Sequence, residues 1–512
     1  MNYSKNRGCM PIKIISYHFI ILLILLLCVL IYSCSSSTEP KQGSLSGRIV
    51  LVNDTGNSMN DPIDFSGITV ALYKLTEIDT TISRINREYP AIGIQVSQET
   101  EFDHRLQNPI ITTNTDSNGN FEITSINAGT YNVVILKEGW GFRYFYNVVL
   151  NTGKNNILEL DNINANDLQL YPEVHCGSII DSSVIVSEWH HLVIDEDTYF
   201  LPDSSLQLES NAILRIAQGK KIEINGQLIA RGTEKNMFWI TTNYGIFDLE
   251  KKAIDDIECY QSFKVMQNAN IINSTIEWGK FSFGYSCVRL YYYPAICIKN
   301  CTTYSIENGL LFEHCNEVYV SKMVSRGISN ITNNGIQFLF TESGILEKTI
   351  VINNKTGLLI KDQTNPIVRN NYTCLNQYGI ELYESNSEVK NNTITKNEFG
   401  IRIAGISTPS VTKNLIDSNV AILIGYSGYY PNATPEIHRN NIKGSDYFYK
   451  ILHTSALDVN AQYNFHYTLD IEYIMQKTFD KVDYLPEAQS AVGNIIFQPI
   501  LSNLENGTGV QL

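Results

Sequence analysis

The chain is short of positive charge. Its 512 residues carry 38 Lys and Arg against 52 Asp and Glu, a formal net charge of −14. A nucleic-acid binder would show a basic face, so the charge argues against that class of function. Paired metal-binding cysteines are missing as well: ten Cys occur, none in a CxxC spacing, and no zinc site is expected. Long Ala/Glu/Lys/Leu stretches with a helical period are absent, which argues against a helical protein. No apolar run reaches the roughly 20 residues needed to span a bilayer.

What is present favours strands and turns. The composition is 43% hydrophobic and 18% charged, with 30 Tyr and abundant Asn. The length predicts more than one domain. The acidity is uneven. From Gly43 to Tyr171 there are 8 Lys/Arg against 15 Asp/Glu, whereas from Ile296 to Ala456 there are 14 against 13. Three cysteines, Cys9, Cys28 and Cys34, lie in the N-terminal segment. The other seven (Cys176, Cys259, Cys287, Cys297, Cys301, Cys315 and Cys374) are odd in number and irregularly spaced, so they are read as buried thiols rather than a disulfide framework.

Lys5, Arg7 and Lys13 precede the apolar run Phe19 to Tyr32, which ends in Ser33-Cys34 and a Ser-rich stretch. This is the layout of a signal peptide. It resembles the lipobox of bacterial lipoproteins, which implies a signal peptide over residues 1–33, lipid on Cys34 and a tether over 34–42. The membrane is then the first expected partner. No Asp follows Cys34, and the resemblance implies an outer-membrane or cell-surface location.

Residues 43–171 read as a β-domain. Ile68 to Tyr73 alternates as a half-buried strand does, and Asn118-Gly119 is a hairpin signal. Asp116 and Asn118 are turn residues here; an EF-hand counted from Asp116 has Asn127 where its closing Glu belongs. Gly47-Arg48-Ile49, Thr115 to Phe121, Ala128-Gly129-Thr130-Tyr131 and Lys137-Glu138-Gly139 resemble the carboxypeptidase regulatory-like family. That resemblance implies a transthyretin-like β-sandwich acting as a spacer or docking module. Thr76 to Asn108 is an insertion relative to the family pattern.

Residues 172–198 read as a linker or N-terminal cap, with His190-His191 inside it. Beyond them the chain repeats. Gly309, Gly335, Gly357, Gly379 and Gly400 each precede an apolar triplet, at spacings of 26, 22, 22 and 21 residues, and Ala421 takes the next slot. Asn354, Asn376 and Asn397 form a second column; Asn370-Asn371, Asn391-Asn392, Asn414 and Asn440-Asn441 form a third. One triplet cannot bury itself, but stacked rungs about 4.8 Å apart share a continuous core. The glycines are expected at corners with positive φ, and the asparagines in left-handed turns or a hydrogen-bonded ladder. The leucine-rich repeat is the competing fold, and its L-x-x-L-x-L-x-x-N pattern is absent. The units, and the opening segment from Tyr199 to Thr241, resemble the parallel β-helix of the pectate-lyase-like superfamily. The expected architecture is therefore all-β: a sandwich, a right-handed parallel β-helix over 199–462, and a C-terminal cap over 463–512. The cap contains a helix at Leu469 to Lys477 and a closing strand near Gly493 to Ile500.

The resemblance raises the question of catalysis. A lyase gathers carboxylates and a basic residue, and a hydrolase needs two spaced carboxyls. Only Asp362, Asp417 and Asp446 fall between Ile296 and Ala456, at unmatched rung positions. Glu381, Glu384, Glu388 and Glu398 form the densest run of Glu. No cofactor, metal site or catalytic residue is assigned. Tyr291-Tyr292-Tyr293 and Tyr426, Tyr429 and Tyr430 sit in long connections where exposed rings suit sugar stacking. The expectation is a surface lipoprotein that binds or displays, toward a polysaccharide. Two alternatives stay open: a divergent polysaccharide lyase or hydrolase, and a structural or protein-binding surface protein.

Overall fold

The computed structural model describes residues 42–52, 64–151, 153–158, 167–243, 259–266, 274–328, 333–425, 433–452 and 456–511. Cys34, Tyr426, Tyr429 and Tyr430 lie outside them.

The N-terminal unit forms two four-stranded sheets. One joins β1 (Gln42–Leu51), β4 (Asn120–Asn127), β7 (Asn155–Ile157) and β8 (Asp167–Leu170). The other runs β3 (Ile111–Asn114), β2 (Thr69–Lys74), β5 (Gly129–Lys137), β6 (Gly141–Leu150). Alternating residues Leu45, Ile49, Val70, Leu72, Phe121, Ile123, Val133 and Ile135 meet in a core between them. The Asp116 carboxylate accepts from the amides of Asn118 and Asn120 at 2.9 and 2.8 Å, which spends it on the turn before β4.

From Val174 the chain winds as a parallel β-solenoid of about 11 turns with three faces. Face A is a 13-stranded sheet that includes Glu317–Ser321, Ser343–Glu347 and Glu388–Lys390. Face B includes Val324–Gly327, Ile350–Ile352 and Tyr372–Cys374; face C includes Asn334–Leu339, Thr356–Lys361 and Tyr378–Tyr383. Long strands such as Thr302–Glu313 bend from face B into face C and join the two into one 21-stranded sheet. The inward residues of all three faces form a single core running from Val186 to Ile495. The solenoid thus begins inside the segment read as linker. Val174–His175, Ile179–Ile180 and Ser183–Val186 are already its first rung, and His191 is a buried strand residue of the second. All seven cysteines of the described residues are free, five of them buried.

The glycine column has a different cause from the one expected. None of Gly309, Gly335, Gly357, Gly379 and Gly400 has a positive φ. Each lies against the next rung instead. A Cβ on Gly379 would stand 2.7 Å from the Gly400 carbonyl oxygen and 2.9 Å from the Asn397 amide. The left-handed corners are taken by Asn370, Asn391 and several other non-glycine residues, Lys348 and Lys413 among them. Behind those corners run two buried asparagine ladders. In the first, the backbone amides of Asn371, Asn392, Asn414 and Asn440 each donate to the next side-chain oxygen at 2.9 Å, ending on Asn464. The second links Asn354, Asn376 and Asn397.

The insertion between β2 and β3 is an arm laid along face B. Asp79 caps α1 (Thr80–Glu88), accepting from the amides of Thr81 and Ile82. Ile82 and Ile85 on its inner side, with Ile92 and Ile94, pack on outward Val324, Ile350, Ile352, Tyr372 and Cys374. Gly93 donates its amide to the Lys348 carbonyl at 2.7 Å, an approach that leaves no space for a side chain. A second turn, α2 (Gln98–Glu101), leads into Phe102, which packs with Tyr144 and Trp239.

At the other end, α3 (Ile471–Gln476) and Ile495–Ile496 close the stack. The tail then turns back. Glu505 meets Asn441, the Gly509 amide donates to the Lys413 carbonyl, Val510 to Thr393 and Gln511 to Asn370. Val510 ends in the same cluster as Ile82 and Ile85.

Candidate functional site

Among the described residues, two of the larger concave places lie along the faces of the solenoid. The larger, about 640 Å³, lies between the arm and face B, lined by Asp79, Glu101, Asp103, Lys280, Tyr304 and Arg326 among others. Its charged groups are already committed. The Arg326 guanidinium forks onto both Glu101 oxygens, one contact at 2.9 Å. Arg105 forks onto Asp103 at 2.9 and 2.7 Å and reaches the Thr242 carbonyl and the Thr241 hydroxyl. Lys280 donates to the Phe102 carbonyl at 2.9 Å and lies 4.6 Å from the Trp239 ring centroid. Burial works to raise both carboxyls, but the guanidinium beside each outweighs it; Glu101 is held below its usual range and Asp103 at about 2. Burial brings Lys280 down to about 8. The Glu101–Arg326 fork, the Arg105 contacts to Thr241 and Thr242 and the Lys280–Phe102 bond join arm to solenoid, the Asp103–Arg105 fork lies within the arm, and both oxygens of Glu101 and of Asp103 already accept hydrogen bonds. The cleft is therefore a structural seam. Sequence reasoning missed its residues; the signal was the charged run Asp103-His104-Arg105 inside the insertion.

The second place is a groove of about 490 Å³ on face C, lined by Lys221, Glu223, Gln261, Ser262, Lys264, Tyr285, Ser286, Arg289 and Glu307. The pairing of Glu223 with Lys264 and of Lys264 with Arg289 stacks these three outward side chains on successive rungs. Glu223 bridges Lys221 at 3.0 Å and Lys264 at 3.6 Å, while Arg289 pairs with Glu313 at 2.6 Å. Three cations thus face the three carboxylates Glu223, Glu307 and Glu313, so no net field builds up. Tyr285 is 39% exposed. Tyr291 stands at the end of the groove with the Lys264 ammonium 5.1 Å from its ring centroid.

The tyrosine triplet divides three ways. Tyr291 borders the groove. Tyr292 is 46% exposed but stacks on His314 at 4.6 Å, and His314 stacks in turn on Phe340 at 4.8 Å. The stack takes one face of Tyr292, and the Tyr291 ring stands 4.5 Å from it at 82°. Tyr293, expected from the sequence to be exposed for sugar stacking, is 1% exposed inside the solenoid core and presents no ring to a surface ligand. The Glu run is dispersed: Glu381 pairs with Arg402 on face C, and Glu388 with Lys390 on face A. Among the described residues no group of three or more His, Cys, Asp or Glu is arranged to hold a metal ion.

The family described as right handed beta helix region matches residues 257–416 and 327–464. The match falls on the solenoid and supplies its hand. No curated protein and no solved structure matches the chain.

Proposed function

We propose that this is an envelope-anchored lipoprotein whose right-handed β-helix binds a neutral or weakly charged glycan without cleaving it. The observation that carries the reading is the face C groove. It is charge-balanced, lined with hydroxyl and amide side chains, and bordered by the rings of Tyr285 and Tyr291. Sugars are held by this combination of apolar ring faces and convergent polar groups. The N-terminal sandwich is the transthyretin-like spacer that its motifs resemble, and lipid on Cys34 holds the chain at the outer membrane or cell surface.

The test uses the chain from Cys34 onward, made lipid-free by Cys34→Ser, on affinity gels containing neutral and acidic polysaccharides. Retention on a neutral gel, lost in Tyr285→Ala with Tyr291→Ala at unchanged melting temperature, supports the proposal. Release of unsaturated or reducing-end oligosaccharides overturns the non-catalytic part. Absence of retention on every gel overturns the glycan. The anchor is tested separately: fatty-acid labelling that persists in Cys34→Ala rules out that site.

A further inference from the structure

We propose that the N-terminal end of the solenoid is an interface where two copies of this chain meet end to end. The first rung consists of Val174–His175, Ile179–Ile180 and Ser183–Val186. Each pairs toward the second rung, with Leu192–Val193, Tyr199–Phe200 and Ser205–Leu208 respectively. Among the described residues, no strand register covers their opposite edge. The core ends there as well: Cys176, Ile180 and Val184 pack on it from one side and are only partly buried. Around them Val174, Ile179 and Ile185 are 50, 66 and 59% exposed.

An open parallel edge is a template for further pairing, and stable monomers blunt it with Lys, Pro or a covering segment. The 13 residues from Val174 to Val186 contain no Lys, Arg or Pro. Their charges offer little repulsion: Glu173 beside them is paired with Arg215, His175 contacts Asp195, and Asp181 is what remains. The opposite end of the solenoid is closed by α3 and the strand Ile495–Ile496.

The shape of the exposed end selects the partner. A cover must present three strand edges at the spacing of the three faces, around an apolar centre. This same rung on a second copy has that form. The C-terminal end is closed, so the contact is N-terminal end to N-terminal end, related by a two-fold axis. Such an isologous contact stops at a dimer, whereas a head-to-tail contact would run on into a filament.

Sedimentation equilibrium of the Cys34→Ser chain from residue 34 onward tests this. The expected species is a dimer, and Ile179→Lys with Ile185→Lys should weaken it on the order of a hundredfold by placing like charges together. Both side chains are largely exposed, so the circular dichroism and melting temperature of the variant should match those of the parent. Amide exchange at residues 174–186 should slow as concentration rises. A monomer at all concentrations, a dimer indifferent to the double substitution, or an open-ended polymer would each overturn the proposal.

Discussion

Faces A and B are built from the same rungs, yet their outward residues differ. On face B, Val324, Ile350 and Ile352 point away from the solenoid core and are wholly buried, because the arm lies on them. On face A the corresponding outward positions hold Glu317, Tyr319 and Ser321 or Glu388 and Lys390, and the outward Ile345 is only half-buried. The repeat dictates what points inward; what points outward depends on what the rest of the chain lays over it. An outward apolar column is thus a footprint of the arm.

The comparison can be broken most severely at its buried charges. Arg326→Met should cost about 3–5 kcal/mol in denaturant titration, because it strands Glu101 without a partner in the seam. Adding Glu101→Leu should restore most of that loss, and a double variant no better than the single one would count against the seam. Ile350→Ala should cost about 2–5 kcal/mol although the residue faces outward, as a core truncation does. The matching Ile345→Ala on face A should cost less than half as much; equal losses would remove the distinction between the faces.

Acid should act on the covered face first. His104 is held at about 4 and His191 well below its usual 6.5, both chiefly by burial, so both are neutral in the fold. A depressed folded value means stability that is complete above pH 6.5 and lost as pH falls toward 4; Asp103, held at about 2, extends the loss below that. Melting temperature should fall over that window in the parent and fall less in His104→Phe. The smallest effect is expected at an exposed pair: Asp417→Asn, which removes a 3.5 Å contact to Lys443, should change stability by less than about 0.5 kcal/mol.

The solenoid was legible because its signal is periodic. Glycine, asparagine and apolar columns recur at rung spacing, and both asparagine ladders stand where those columns fall. The reason for the glycines was not legible, since a crowded Cβ and a left-handed φ both select glycine, and only the 2.7 Å approach to the next rung separates them. The start of the solenoid was missed because Val174 to Val186 precedes both the glycine column and the opening segment from Tyr199, and its strands Val174–His175, Ile179–Ile180 and Ser183–Val186 are too short to show a pattern. The face C groove was half legible. Tyr291 belongs to a tyrosine triplet visible in the sequence, but Lys221, Lys264 and Arg289 lie at unequal sequence spacings and converge only when the strands stack.

A stack in which each rung touches only its neighbours can fray from an end one layer at a time. The returning tail changes that. By tying Asn441, Lys413, Thr393 and Asn370 to one strip of chain and then to the arm, it makes the last several layers open together or not at all. The C-terminal layers should therefore acquire their full protection from proteases in one step, once residues 505–511 have docked.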